Sequence, residues 1–109
     1  MTPEERIAQC RLLIDDLDRR IVALLAERTS VVRTLTESKN DEAAVRSPGR
    51  VEAVVTRVRA LAEEHGMPPG IAEATYRTLI GELTSMQLER LEQRLAAARS
   101  GEATVAGEG

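Results

Sequence analysis

Ile7-Ala8-Gln9-Cys10-Arg11-Leu12-Leu13-Ile14-Asp15-Asp16-Leu17-Asp18-Arg19-Arg20-Ile21-Val22-Ala23-Leu24-Leu25-Ala26-Glu27-Arg28 is the stretch from which the fold is read. Ile7, Ile14 and Ile21 recur every seven residues, and Leu35 falls on the same series. Cys10, Leu17, Leu24 and Val31 form the interleaved set. This spacing makes one apolar stripe on a long helix. Arg28 fills the slot between Ile21 and Leu35, where an apolar residue belongs. A guanidinium in a packing seam is costly unless an anion or a set of acceptors meets it. No Asp or Glu shares that slot, so either a carboxylate arrives from elsewhere in the fold or the anion is a ligand.

Working outward, Thr2-Pro3-Glu4-Glu5 predicts an N-cap, a Pro at the first helical position and a capping-box Glu. The apolar repeat runs to about Lys39 without Gly or Pro, a helix of roughly 36 residues and about 54 Å. Asn40 to Arg46 lacks the repeat and is expected to be a loop. Ser47-Pro48 predicts a second cap, and Val51, Val54, Val55, Val58, Leu61 and Ala62 mark a shorter helix ending at Gly66. After Met67-Pro68-Pro69-Gly70, a third helix carries Ala72, Tyr76, Leu79, Ile80 and Leu83 on one face and continues through Leu88, Leu91 and Leu95. Residues 1–99 are thus expected to form one helical domain, and 100–109, with little to bury, a disordered tail. The short helix, about 24 Å, cannot cover a 54 Å partner. A single chain would expose apolar stripes, so a homodimer with the long helices packed together is expected.

Composition narrows the function. The 109 residues suffice for one domain. Phe and Trp are absent and Tyr occurs once, which removes a stacking platform for single strands, and a net charge of −3 argues against a nucleic-acid backbone binder. No apolar run approaches a membrane span and no signal-peptide core is present, so a cytoplasmic protein is expected. Cys10 is expected in the seam as a small hydrophobe. Asp15 and Asp18 lie three apart, but nothing nearby completes a metal site, and neither metal nor cofactor is expected.

The polar residues on or beside the apolar faces are Arg11, Arg28, Lys39 and Gln87. Arg28 and Lys39 are three turns apart, about 16 Å on a continuous helix, a span suited to a metabolite. Arg11 and Lys39 are about 42 Å apart and meet at one ligand only if Arg11 comes from an antiparallel second subunit. Gln87, a turn after Leu83, points its amide into an apolar face, and Arg50 adds a cation in the first turn of the second helix. His65, beside Gly66, is expected to cap a helix end. Together these describe a cationic pocket for a dianion, with no nucleophile and base, where positioning and fixed electrostatics do the chemistry.

The order Arg11-x-x-Ile14-Asp15-x-Leu17-Asp18-x-x-Ile21-x-x-Leu24-Leu25-x-Glu27-Arg28, then Lys39, Arg50 and Gln87, resembles the all-helical chorismate mutase family. The resemblance covers residues ~7 to ~90. It implies an all-α, three-helix chain in an intertwined homodimer and a pericyclic rearrangement of chorismate to prephenate. By resemblance, Arg28, Lys39 and Gln87 are the catalytic set. Arg28 binds a substrate carboxylate, Lys39 and Gln87 meet the ether oxygen, and Arg11 comes from the partner subunit. Arg50, Ser47, Val51 and Leu83 complete the substrate pocket. Where the family usually carries an acidic loop residue and a Glu after the Arg of the second helix, this chain has Ser47 and Val51. Glu52, one residue late, faces elsewhere at ~100° per residue. Ser47-Pro48-Gly49-Arg50-Val51 is similar to isochorismate pyruvate lyases and to 4-amino-4-deoxychorismate mutases, so the substrate stays open among these. A non-catalytic helical dimer, an adaptor, is the rival from another class.

Overall fold

A computed structural model of the chain describes residues 1–108, with side chains through residue 101. It is all-helical, with no strand among the described residues: α1 (Pro3–Thr36), α2 (Glu42–Arg46), α3 (Pro48–Glu64) and α4 (Pro69–Glu108). The three long helices are those the periodicity predicts. The tail expected over 100–109 lies, past residue 101, outside the described side chains. By compactness the chain forms two units, residues 1–33 and 34–109.

The first unit is one amphipathic helix. Its start is as expected: the Thr2 hydroxyl accepts the Glu5 amide at 3.1 Å and the Thr2 carbonyl accepts the Arg6 amide at 3.0 Å. Its apolar stripe is exposed. Ile7, Ile14 and Ile21 are each about half exposed, and Leu24 and Val31 about two-thirds. Cys10, expected to be packed in this seam, is exposed with it.

The second unit begins with the end of α1. That helix stops at Thr36 rather than near Lys39. The amides of Glu37, Ser38 and Lys39 bond three residues back, to Thr34, Leu35 and Thr36. This tightened 3₁₀-type turn carries Lys39 off the helix. The loop expected over Asn40–Arg46 contains the short helix α2 instead. Asp41, in extended conformation, accepts the Ala44 amide at 2.7 Å and starts it, and Val45 is buried. Five residues are too few to display an apolar period, which is why it was not predicted.

Ser47 differs from its expected role as a side-chain cap. It closes α2 and opens α3 with φ +37°, in the left-handed region, and its side chain makes no capping bond. Its backbone does the joining. The amide bonds to Ala43 O at 3.0 Å, and the carbonyl receives the Arg50 and Val51 amides at 3.0 and 3.1 Å. Left-handed backbone costs a non-Gly residue about 1–2 kcal/mol, held here by bonds on both sides. At the other end, α3 closes with Met67 N to Ala62 O and Gly66 N to Glu63 O, at 2.8 and 3.2 Å, with Gly66 at φ +73°. This is a Schellman motif, with His65 as C-cap. The core lies between α3 and α4, where Val54, Val58, Ala62 and Ala72 are buried and Tyr76 and Ile80 pack against them.

Candidate functional site

Continuing along α4, the buried face passes from Ala72 to Leu83, 8% exposed, and one turn later to Gln87, 6% exposed. An amide so buried must find partners. Gln87 Oε1 accepts two hydrogen bonds, from Thr36 Oγ1 at 3.1 Å and from Lys39 Nζ at 3.0 Å. The Lys39 ammonium settles the amide's orientation, since it can only donate and the NH₂ end accepts nothing. The NH₂ is therefore the outward-facing donor of the pair. Lys39, half-buried, uses one of its three N–H groups here and keeps two for a ligand.

The turn that carries Lys39 is fixed from the far side by Arg94. Its Nη1 donates to the carbonyls of Thr36 and Lys39, at 3.1 and 2.9 Å, and its Nη2 to Asn40 Oδ1 at 3.2 Å. The Lys39 carbonyl is a backbone acceptor past the end of α1, and the Thr36 carbonyl takes Arg94 beside the Lys39 amide. Glu37 bonds Arg90 at 2.7 Å and Arg94 at 3.1 Å. The Arg90 hydrogen bond is the main cause holding the Glu37 carboxyl below its ordinary range. Thr36, Arg94, Glu37 and Arg90 were not picked out in the sequence. Arg94 carried a signal, since seven residues separate it from Gln87 and place both on one helix face.

Of the other predicted residues, Val51 is half-buried and lines a cleft of about 430 Å³ with Pro48, Ile80, Thr84 and Leu88. Ser47 is half-buried at the α2–α3 junction, and Arg50 is exposed in the first turn of α3. Glu52, expected to face elsewhere, lines this same cleft beside Arg77. It forms a two-pronged pair with Arg77, at 3.0 and 3.1 Å, and Arg77 also holds Glu73, which bonds Arg59 at 2.8 Å. Hydrogen bonding from Arg77 is the first cause lowering both carboxyl pKa values, and Arg59 adds to the effect at Glu73. Arg11 and Arg28 belong to the first unit, Arg11 exposed and Arg28 half-buried. They are about 25 Å apart along α1, so they do not meet on one small ligand within that helix. Among the described residues, no three His, Cys, Asp or Glu side chains come together as a metal site, and no helix is long and apolar enough to cross a membrane.

A part-buried Lys–amide pair, an Arg in an otherwise apolar helical stripe and the match of residues 10–90 to the family model described as chorismate mutase type II converge. The chain belongs to the chorismate mutase type II family. Two relatives bear on which member it is. A chorismate mutase from Methanocaldococcus jannaschii is 31% identical over 90 residues, covering 82% of this chain and 91% of the relative. An isochorismate pyruvate lyase from Pseudomonas aeruginosa is 31% identical over 99 residues, covering 89% of this chain and 98% of the relative. The chorismate mutase type II match contains every predicted site residue, from Arg11 to Gln87.

Proposed function

We propose that this chain is a chorismate mutase, an isomerase that rearranges chorismate to prephenate in a pocket shared between two subunits. The observation that carries the proposal is the part-buried Lys39–Gln87 pair, whose remaining N–H groups leave a cationic and a neutral donor side by side. As the ether C–O bond breaks, negative charge grows on its oxygen. Donors fixed there bind the transition state better than the substrate. Arg28 takes one substrate carboxylate, Arg11 of the second subunit takes part from across the dimer, and Arg50 closes the mouth. Leu83 and Val51 supply wall, and Ser47 its rim. Folding the enolpyruvyl group over the ring removes much of the entropic barrier, so no nucleophile or proton relay is required.

The homodimer is part of this proposal. It is supported by the exposed apolar stripe of α1, which a second copy of the same helix would cover. A cytoplasmic location and a catalytic domain of residues 1–99 followed by a tail are proposed with it.

A second reading, isochorismate pyruvate lyase, is favoured by the ring end of the pocket. Val51 offers no carboxylate there, and Glu52 is committed to Arg77. A ring hydroxyl there would meet a carboxylate only by competing with that arginine. The test is incubation with chorismate, isochorismate and 4-amino-4-deoxychorismate in separate reactions, following prephenate, salicylate with pyruvate, and the amino product. Prephenate as the main product is the expected result. Salicylate as the main product would move the assignment to the lyase, and turnover of none to a non-catalytic dimer.

A further inference from the structure

Lys39 is held at both ends by side chains of α4. Its ammonium bonds Gln87 Oε1 at 3.0 Å, and its backbone carbonyl takes Arg94 Nη1 at 2.9 Å. Seven residues of one helix, about 10 Å, separate these two anchors. The same Nη1 reaches the Thr36 carbonyl at 3.1 Å, so one nitrogen ties together the carbonyls at the two ends of the 3₁₀-type turn. Nη2 bonds Asn40 Oδ1 at 3.2 Å, and Nε pairs with Glu37 at 3.1 Å. The half-buried guanidinium thus commits Nε, Nη1 and Nη2 to residues 36–40. We infer that Arg94 is a positioning residue, whose fork on this turn sets Lys39 so that its ammonium lies at Gln87. The inference rests on the proposed role of Lys39 and Gln87 at the breaking ether bond.

A lysine past the end of a helix lacks the helical ladder that fixes a backbone, and its long side chain has many rotamers. Left to itself, such a residue spreads its charge over a wide arc. The Lys39 amide, bonded to the Thr36 carbonyl at 3.0 Å, fixes one side of its backbone, and Arg94 fixes the other. Because Arg94 and Gln87 share one helix face, α4 itself sets the distance between the Lys39 carbonyl and the place its ammonium reaches. A catalytic group misplaced by about 1 Å can cost about a hundredfold in rate, so holding it before the ligand arrives acts on kcat. Charge alone does not do this. A lysine at 94 keeps the cation, but its single nitrogen cannot span the acceptors that Nε, Nη1 and Nη2 reach in a fixed plane. Arg90 is the natural comparison: it stands on the same helix and pairs with the same Glu37, and its two bonds end on that carboxylate.

The test reads the Gln87 side-chain NH₂ resonances by heteronuclear NMR of the isotope-labelled full chain, assigned by their loss in Gln87→Ala. Lys39→Met, which keeps the stem and removes the ammonium, gives their position when the contact is gone. In Arg94→Lys they move toward that position, and in Arg90→Lys they stay at the wild-type one. Asn40→Ala, which removes one bond of the fork, gives a smaller move in the same direction. Resonances unmoved in Arg94→Lys, an equal move in Arg90→Lys, or no effect of Lys39→Met would each overturn the inference. If Arg94→Lys does not fold, Asn40→Ala decides, and resonances unmoved there overturn it. This arm needs no activity, so it stands even if the wild-type chain turns over none of the three substrates, a result that would sink the proposed function instead. In the kinetic arm, kcat falls about tenfold in Arg94→Lys with KM within about twofold, and Arg90→Lys stays within about twofold on both. An equal fall in the two variants would assign the loss to the Glu37 pairs and overturn the role of the fork.

Discussion

A glutamine side chain can offer either an oxygen or an NH₂ to a ligand, and at Gln87 the choice is made by Lys39, whose ammonium only donates. This is chemistry at the scale of single atoms, and it was only half legible in the sequence. Gln87 shows itself as a polar residue on an apolar face, and Lys39 as a cation near a helix end. Thr36 gives no such sign, because a Thr near a helix end has many ordinary roles, and only the fold brings it against residue 87. Arg28 shows the reverse: the seven-residue repeat singled it out, and it is half-buried while its apolar neighbours in the stripe are exposed. The ring end of the pocket yields a prediction at this scale. In Val51→Glu a carboxylate enters the cleft wall that Val51 now forms with Thr84 and Ile80. If a missing acceptor for a ring hydroxyl is what sets substrate choice here, kcat/KM for chorismate rises about tenfold relative to isochorismate. A ratio unchanged within error would mean that residue 51 does not face the ring.

Among the elements, α3 and α4 were predictable from their Val and Leu spacing, and the structure joins them through Val54, Val58, Ala62 and Ala72. The segment between α1 and α3 was not. Its order comes from one aspartate cap, a left-handed serine and the Arg94 fork on two carbonyls, none of which leaves a periodic trace. The surface of the same unit is laced by Glu52, Glu73 and Glu37, each held to arginines of α3 or α4. Hydrogen bonds from Arg77 and Arg90 set these carboxyls below the ordinary value of 4.5. A carboxyl whose folded pKa is lowered adds stability above its unfolded pKa and loses it as pH falls through the folded one. The melting temperature should therefore drop as pH falls below about 4.5, and less steeply in Arg77→Gln, which removes the pairing of Glu52 and leaves Glu73 with Arg59 alone. Because these pairs are exposed, the difference is small and shrinks with added salt. Identical slopes in a thermal scan across that range would show that the Arg77 pairs add nothing.

For the whole molecule, the seven-residue repeat of α1 foretold a helix with too much apolar surface for one chain, and that surface is exposed along residues 7 to 31. The family assignment follows from residues 10–90, and a two-chain site is the simplest way to give both the stripe and Arg11 a partner. Substrate choice was less legible, because it turns on the orientation of a few side chains rather than on a repeat. The shared site can be tested by mixing damage. Arg11→Ala and Arg28→Ala chains, each expected to lose most activity, are unfolded together, refolded, and assayed for prephenate from chorismate. Half of the resulting dimers are mixed, and in a mixed dimer one pocket carries both changes while the other is intact. The account predicts recovery of about a quarter of wild-type activity. No recovery above the separate variants, with mixed dimers present, would contradict a pocket built from Arg28 of one chain and Arg11 of the other.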